Sequence, residues 1–242
     1  MKDGRPSRII DIRYFGPDRD SYLKGKEDVT AYGRRMAWFL NAEELSLGAY
    51  HSLYIRFTSS IEPGTVNVTN EGGDWWQRYV DVGVPDGFPK NQNASELALR
   101  GTVAALKSIQ PSSCKIIDRA DSLVRKHGAD LRFLVRSKSY ARYILNFATT
   151  IPTYPAPSQL YVTVSDKESC NRIELAPISG GIYADAFHDA SGLGIRDIEI
   201  EVSSGGELSA RWSSKLQQLC YGPARKRDDA VEPFYSNLVK RQ

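Results

Sequence analysis

The sequence predicts an α+β fold with one or two antiparallel sheets and a few helices packed on one face. Three observations lead there. Short segments of alternating hydrophobicity recur between turn residues, a few longer segments carry helical periodicity, and the composition is that of a folded protein. Hydrophobic residues make up 41% and charged residues 25% of the 242 positions, so the low hydrophobicity and high net charge of disordered chains are absent.

Residues 8–15 (RIIDIRYF) form a short apolar-rich run that reads as a strand, ended by Gly16-Pro17-Asp18. From Glu27 to Leu45, Val29, Tyr32, Met36, Phe39 and Leu40 fall on one helical face, with Asp28 as the expected N-cap. His51 to Thr58 alternates Leu53, Ile55 and Phe57 against polar neighbours, as a half-buried strand does. Thr65–Thr69 and Trp75–Val84 follow with short turns between, so an antiparallel meander is the expected arrangement. Ser95 is placed to cap a helix running to Ile109, with Leu97, Val103, Ala104 and Leu106 toward the sheet. After Pro111, a second helix runs through Lys126, and His127-Gly128 ends it because glycine accepts the left-handed conformation. Beyond that point the candidates are strands at Leu131–Val135, Ala141–Thr149, Leu160–Ser165, Arg172–Leu175, Ile195–Val202 and Leu208–Trp212. The Pro-rich link Pro152–Pro157 is unsuited to a central strand.

A chain of this length hides roughly 70–75% of its unfolded surface. The expected organisation is one α+β domain over residues 1–222, with two similar halves meeting near residue 128 as the alternative. A polar, partly basic tail covers 223–242, with Arg225-Lys226-Arg227 at its start. The three cysteines, 114, 170 and 220, form no C-x-x-C pair and read as reduced thiols. The opening MKDGRPSRIIDIRYFG holds no apolar stretch of signal-peptide length, and no run of about 18 apolar residues occurs. A cytoplasmic protein without membrane contact is the expectation. The net charge of +3 is too small for a dedicated nucleic-acid binder, and a protein mimicking nucleic acid would be acidic instead.

No phosphate loop, no dinucleotide fingerprint and no G-x-S-x-G elbow occurs, and Gly192-Leu193-Gly194 is explained by a loop before a strand. The three histidines, 51, 127 and 188, share no i,i+4 face, so zincin chemistry is not indicated. His127 belongs at a helix end and His51 at a strand start. His188, between Asp185 and Asp189, is the best acid/base candidate, because a carboxylate beside an imidazole fixes its tautomer. Its nucleophile would have to be Ser191 or Cys170, and a polar loop explains the segment as well. Asp81, Asp86, Asp185 and Asp189 are the carboxylates available for paired acid/base work, with no spacing that sets two of them at catalytic distance. From the residues, no cofactor, no metal and no small-molecule substrate is expected.

Two segments suggest binding. Arg132, Arg136, Lys138, Tyr140, Arg142 and Tyr143 interleave cations and aromatics, as nucleic-acid surfaces do; an Arg-rich hairpin facing solvent accounts for the same pattern. Trp75, Trp76, Arg78 and Tyr79 combine the residue types enriched at interface hot spots. Strand alternation would turn one tryptophan away from the main core. Burial of both, between two covered faces, is the expected outcome, and a partner-facing Trp is the alternative.

Residues 11–16 (DIRYFG), 32–36 (YGRRM), 78–84 (RYVDVGV) and 166–169 (DKES), taken together, give the chain a texture that resembles the small cytosolic immunity proteins bacteria encode beside polymorphic toxins. The resemblance implies a protein without a reaction of its own that binds one cognate toxin and neutralises it. The mildly basic charge would favour an acidic or mixed toxin surface. A nucleic-acid-binding accessory protein using residues 132–143, and a hydrolase using Asp185, His188 and Asp189, are the alternatives.

Overall fold

The computed structural model describes residues 9–17, 22–69, 74–181 and 185–213 and, of residues 185–188, the backbone alone. The tail expected over 223–242 lies outside the described residues, as does Cys220. The chain is α+β and divides after Gly128 into two compact units. Their topologies differ, so the halves are not copies of one another.

The first unit runs β1 (Asp11–Phe15), α1 (Glu27–Ala42), β2 (Ser52–Thr58), β3 (Val66–Thr69), β4 (Gln77–Gly83), α2 (Ala94–Ile109) and α3 (Cys114–His127). Its sheet has the order β1-β2-β4-β3. The expected meander is not formed: β1, β2 and β4 are parallel neighbours, and only β3 runs antiparallel, on β4. Side-chain burial explains the insertion of β4 between β2 and β3. From Val80 to Gly83, β4 is buried at every position, which suits a central strand. The four-residue β3 keeps Asn67 exposed and Val66 and Val68 half-buried, which suits an edge.

Ile12 and Tyr14, Leu53, Ile55 and Phe57, and Val80 and Val82 share one face of this sheet by register and are buried. Helix α1 packs on β1, and α2 packs across β2, β3 and β4. The α1 face is the one its periodicity predicts, since Val29, Tyr32, Met36, Phe39 and Leu40 are all buried. The helix begins with Lys26 at the cap and stops at Ala42; Asp28 lies in the first turn beside Glu27, where a carboxylate favours the helix dipole. Asn93, not Ser95, occupies the α2 cap position.

The inward face of α2 differs from the one expected. Ala98, Gly101, Thr102, Ala105 and Leu106 are buried, while Leu97, Val103 and Ala104 are only half-buried. Small residues let the helix approach the sheet closely. A Cβ on Gly101 would stand 2.9 Å from Val82 Cγ1 and 3.1 Å from Phe57 Cε1. Thr102 Oγ1 donates to Ala98 O at 2.8 Å and accepts from the Tyr14 hydroxyl at 3.0 Å, which ties β1 to α2. Burial raises the Tyr14 phenol well above its ordinary pKa. Tyr32 Oη donates to Asp121 Oδ1 at 2.5 Å and joins α1 to α3. As predicted, α3 ends at His127, with Gly128 at φ +51 and Arg125, Lys126 and His127 at the negative end of the helix dipole.

The second unit contains β5 (Arg132–Ser139), β6 (Tyr143–Thr150), β7 (Gln159–Asp166), β8 (Arg172–Glu174), β9 (Ile178–Ser179), α4 (Asp185–Gly192), β10 (Ile198–Val202) and β11 (Leu208–Trp212). Strands β5-β6-β7-β8 form an antiparallel sheet, β9 also pairs with β7, and β10-β11 is a separate hairpin. Leu145, Phe147, Val162, Val164, Leu175, Leu208 and Trp212 belong to one core, and Trp212 Nε1 donates to Ala176 O at 2.8 Å. Two expectations are corrected. The segment around Asp189 is a helix, not a polar loop, and the strand foreseen from Ile195 begins at Ile198 after a 3-10 turn.

Gly33 on α1 lies directly over Tyr14; an added Cβ would contact the hydroxyl and stand 2.7 Å from Cε2. Gly33→Ala would gain about 1 kcal/mol from helix propensity alone. Overpacking of this contact outweighs that gain, so the variant is expected to lose about 1–2 kcal/mol net, read as a lower urea midpoint in chemical denaturation.

Candidate protein-interaction site

Parallel pairing sets the beginnings of β1, β2 and β4 side by side, with Asp11, Ser52 and Gln77 in one row. The residues just before these strands therefore converge, although they are far apart in sequence. Ile10 N donates to His51 O at 2.6 Å, and the His51 and Ser52 amides donate to Trp76 O at 3.1 and 3.2 Å. The His51 ring stacks on Trp76 at 5.2 Å with an interplanar angle of 5°, and meets Trp75 edge-on at 6.1 Å. Trp76 also touches Tyr54 edge-on at 6.1 Å. Trp75 is 77% exposed and Ile10 60% exposed.

The two tryptophans occupy a turn, because β4 starts at Gln77. Strand alternation therefore does not govern them, and the expected burial of both is overturned. Trp76 is half-buried, and Trp75 projects into solvent. Arg78 shares the row of Leu53 on the helix-covered face, its guanidinium 5.0 Å from the Tyr50 ring centre. Tyr79 lies on the opposite face, in the row of Tyr54. Of the four residues singled out, the structure places Trp75 and Trp76 together and sends Arg78 and Tyr79 to opposite faces.

That opposite face carries a ladder of aromatic and charged groups. Arg56 makes a bidentate pair with Asp81 at 2.7 and 3.1 Å and lies 5.0 Å from the Tyr79 ring centre. Tyr54 meets Tyr79 edge-on at 5.0 Å and accepts from Gln77 Nε2 at 3.1 Å. Arg13 donates to Asp11 at 3.0 Å and lies 5.5 Å from the Tyr54 ring centre. Opposite charges cancel along the ladder, and burial raises the Tyr79 phenol above its usual pKa. Composition alone did not point to Tyr54, Arg56 or His51. For Tyr54 and Arg56 the i,i+2 spacing out of phase with Leu53, Ile55 and Phe57 was the available signal, whereas His51 is in phase with those three and carried none.

The basic segment of the second unit is divided between faces. A bulge between Leu134 and Arg136 shifts the register, so that Arg132 stands opposite Thr150 while Arg136 and Lys138 stand opposite Phe147 and Leu145. Arg132 pairs with Glu174 at 2.6 Å and stacks on Tyr161 at 3.5 Å. Arg136 donates to Ser191 Oγ at 2.9 Å, and Lys138 donates to the carbonyls of Ser191 (3.0 Å) and Leu193. Partial burial lowers the Lys138 pKa. Tyr140 Oη accepts from Ile195 N at 3.2 Å, and Tyr143 lies 5.5 Å from the Arg142 guanidinium. Arg142 chelates Asp166, whose carboxylate also accepts from Glu168 N and Ser169 Oγ. These residues thus bind their own unit and do not form one contiguous strip.

Asp185, His188 and Asp189 all belong to α4. The side chains of Asp185 and His188 lie outside the described residues, and Asp189 is half-buried. Ser191 Oγ is held by Arg136. Cys170 is exposed in the β7–β8 turn at φ +57, and Cys114 and Cys170 are free thiols. Asp81 is engaged by Arg56, and Asp86 is exposed in a turn. Among the described residues, no three His, Cys, Asp or Glu side chains are placed to hold a metal, and no helix is long and apolar enough to cross a membrane. Comparison with protein-family models, curated proteins and solved structures returned no match.

Hydrogen bonds from Arg142, chiefly, hold the Asp166 carboxyl at about 2, below its ordinary value. The unfolded chain then binds more protons than the folded one between about pH 2 and the ordinary carboxylate range near 4, so this group's stabilisation falls as pH drops through that window. Asp166→Asn should be less stable than the parent at pH 7, with the difference narrowing toward pH 2. Thermal unfolding measured across this range checks it; a constant difference would disprove the coupling.

Proposed function

We propose that this protein binds a cognate protein partner through the rim at the beginnings of β1, β2 and β4, and that the partner is a bacterial toxin which it neutralises as a cytoplasmic immunity protein. The observation that carries the reading is Trp75, an indole 77% exposed beside His51 and the half-buried Trp76. Burying an aromatic side chain of about 150–250 Å² at about 25 cal/mol per Å² makes roughly 4–6 kcal/mol available before the costs of association. Trp76, His51 and their backbone bonds hold the segment in place beforehand, and pre-organisation of this kind reduces the ordering entropy paid on binding. The immunity assignment rests on the resemblance given by residues 11–16, 32–36, 78–84 and 166–169. In this reading the protein catalyses nothing, and the ion-paired ladder beside the rim contributes specificity more than affinity.

The test begins with affinity capture of the protein from its native bacterium and titration of the dominant co-purifying protein. Trp75→Ala should weaken that complex by at least about 2 kcal/mol, roughly 30-fold in Kd, with an unchanged thermal midpoint. Trp76→Ala should lower both affinity and midpoint, because Trp76 also packs on Tyr54 and His51. A Trp75→Ala protein that binds as tightly as the parent would exclude the rim. A captured partner that is harmless when expressed alone would exclude the immunity role.

A further inference from the structure

At the other end of the same sheet, the loops leaving the carboxyl ends of β2 and β4 face α2 across a cavity of about 340 Å³. Its walls are apolar: Pro63, Val82 and Val84 on the sheet side, Leu97 and Ala104 on the helix. Leu97, Gly101 and Ala104 are spaced i, i+4 and i+7, so they line one face of α2, and Gly101 lies so close over Val82 that a Cβ would not fit, which closes the inner end of the cavity. Arg100 is the one charged residue in the lining. It is exposed, and among the described residues it makes no hydrogen bond or ion pair. In open α/β sheets, ligands occupy the crevice outside the carboxyl ends of parallel strands, and this volume falls at the lower end of the range for small-molecule sites.

The geometry points to a binding site for a small apolar carboxylate, an aliphatic or aryl acid whose hydrocarbon body enters between α2 and residues 82–85 while its carboxylate pairs with Arg100. Charge complementarity selects the acid. An exposed arginine with no partner among the described residues, lining an otherwise apolar cavity, offers two parallel N–H donors to a carboxylate, and a neutral apolar ligand would leave it unused. This site is independent of the rim and of the partner proposed there.

Octanoate is the probe, titrated into the full-length 15N-labelled protein and followed by amide chemical shifts. Saturable shifts at residues 82–85 and 97–104 are expected, with a Kd on the order of 1 mM or tighter for a ligand of this size. Arg100→Gln, a change at an exposed position, should weaken binding about five-fold. Ala104→Phe, which fills the cavity, should abolish it, and octan-1-ol should bind the parent no better than octanoate binds Arg100→Gln. The proposal is overturned if shifts fail to saturate by ~10 mM octanoate, or if Arg100→Gln or octan-1-ol binds like parent and octanoate. It is equally overturned if the shifts fall elsewhere and persist in a folded Ala104→Phe protein.

Discussion

Parallel pairing of β1, β2 and β4 is the constraint on which the rest of the first unit depends. Parallel neighbours cannot be joined by a tight turn, so the chain must cross back over the sheet between β1 and β2, and α1 makes that crossing. The crossing covers one face, and Tyr14 then finds Thr102 on α2 and a glycine on α1 above it. The same pairing aligns the strand beginnings and gathers Ile10, His51, Trp75 and Trp76 into one rim. It also aligns the carboxyl ends that border the cavity beneath α2. An antiparallel meander with the same strands would have scattered both sets of residues.

The sheet's second face is stabilised differently from the first. On the helix side, buried aliphatic and aromatic groups supply the energy through area removed from water. On the other side, Arg13 and Arg56 lie against tyrosine rings and meet Asp11 and Asp81. Cation–π contacts of this kind contribute about 0.5–2 kcal/mol each, more when desolvated. The Arg56–Asp81 pair has side chains only 12% and 7% exposed, so its Coulomb gain is largely offset by desolvation. Its main effect is geometric. Bidentate pairing and ring contacts hold Tyr54, Tyr79 and Gln77 in one arrangement, and Tyr54 in turn supports Trp76.

Residues 132–143 illustrate how a linear cluster can dissolve in three dimensions. Counted along the chain, they interleave cations and aromatics. One bulge reverses the facing of the strand after Leu134, because side-chain direction has a period of two and a single extra residue inverts it. Arg132 then pairs with Glu174 on one face, and Lys138 caps the carbonyls at the end of α4 on the other. Helix ends leave carbonyls without intrahelical partners, and a lysine that supplies those hydrogen bonds does structural work in the unit.

The sequence by itself determined the fold class, most element positions and the core face of α1, because hydrophobic period and turn residues are local signals. Leu208–Trp212 and the end of α3 at His127-Gly128 fell where that local grammar put them. It also marked Trp75 and Trp76, by residue type alone. Tertiary structure decided the rest. The place of β4 between β2 and β3, the small-residue face of α2 and the facing of Arg132 against Lys138 all depend on which segments pair and how closely they approach. So does the exposure of Trp75, which turns on β4 beginning at Gln77 and on His51 arriving beside it from another strand. Strand order and register are set by the total burial and hydrogen bonding of the unit, and no window along the chain contains that sum.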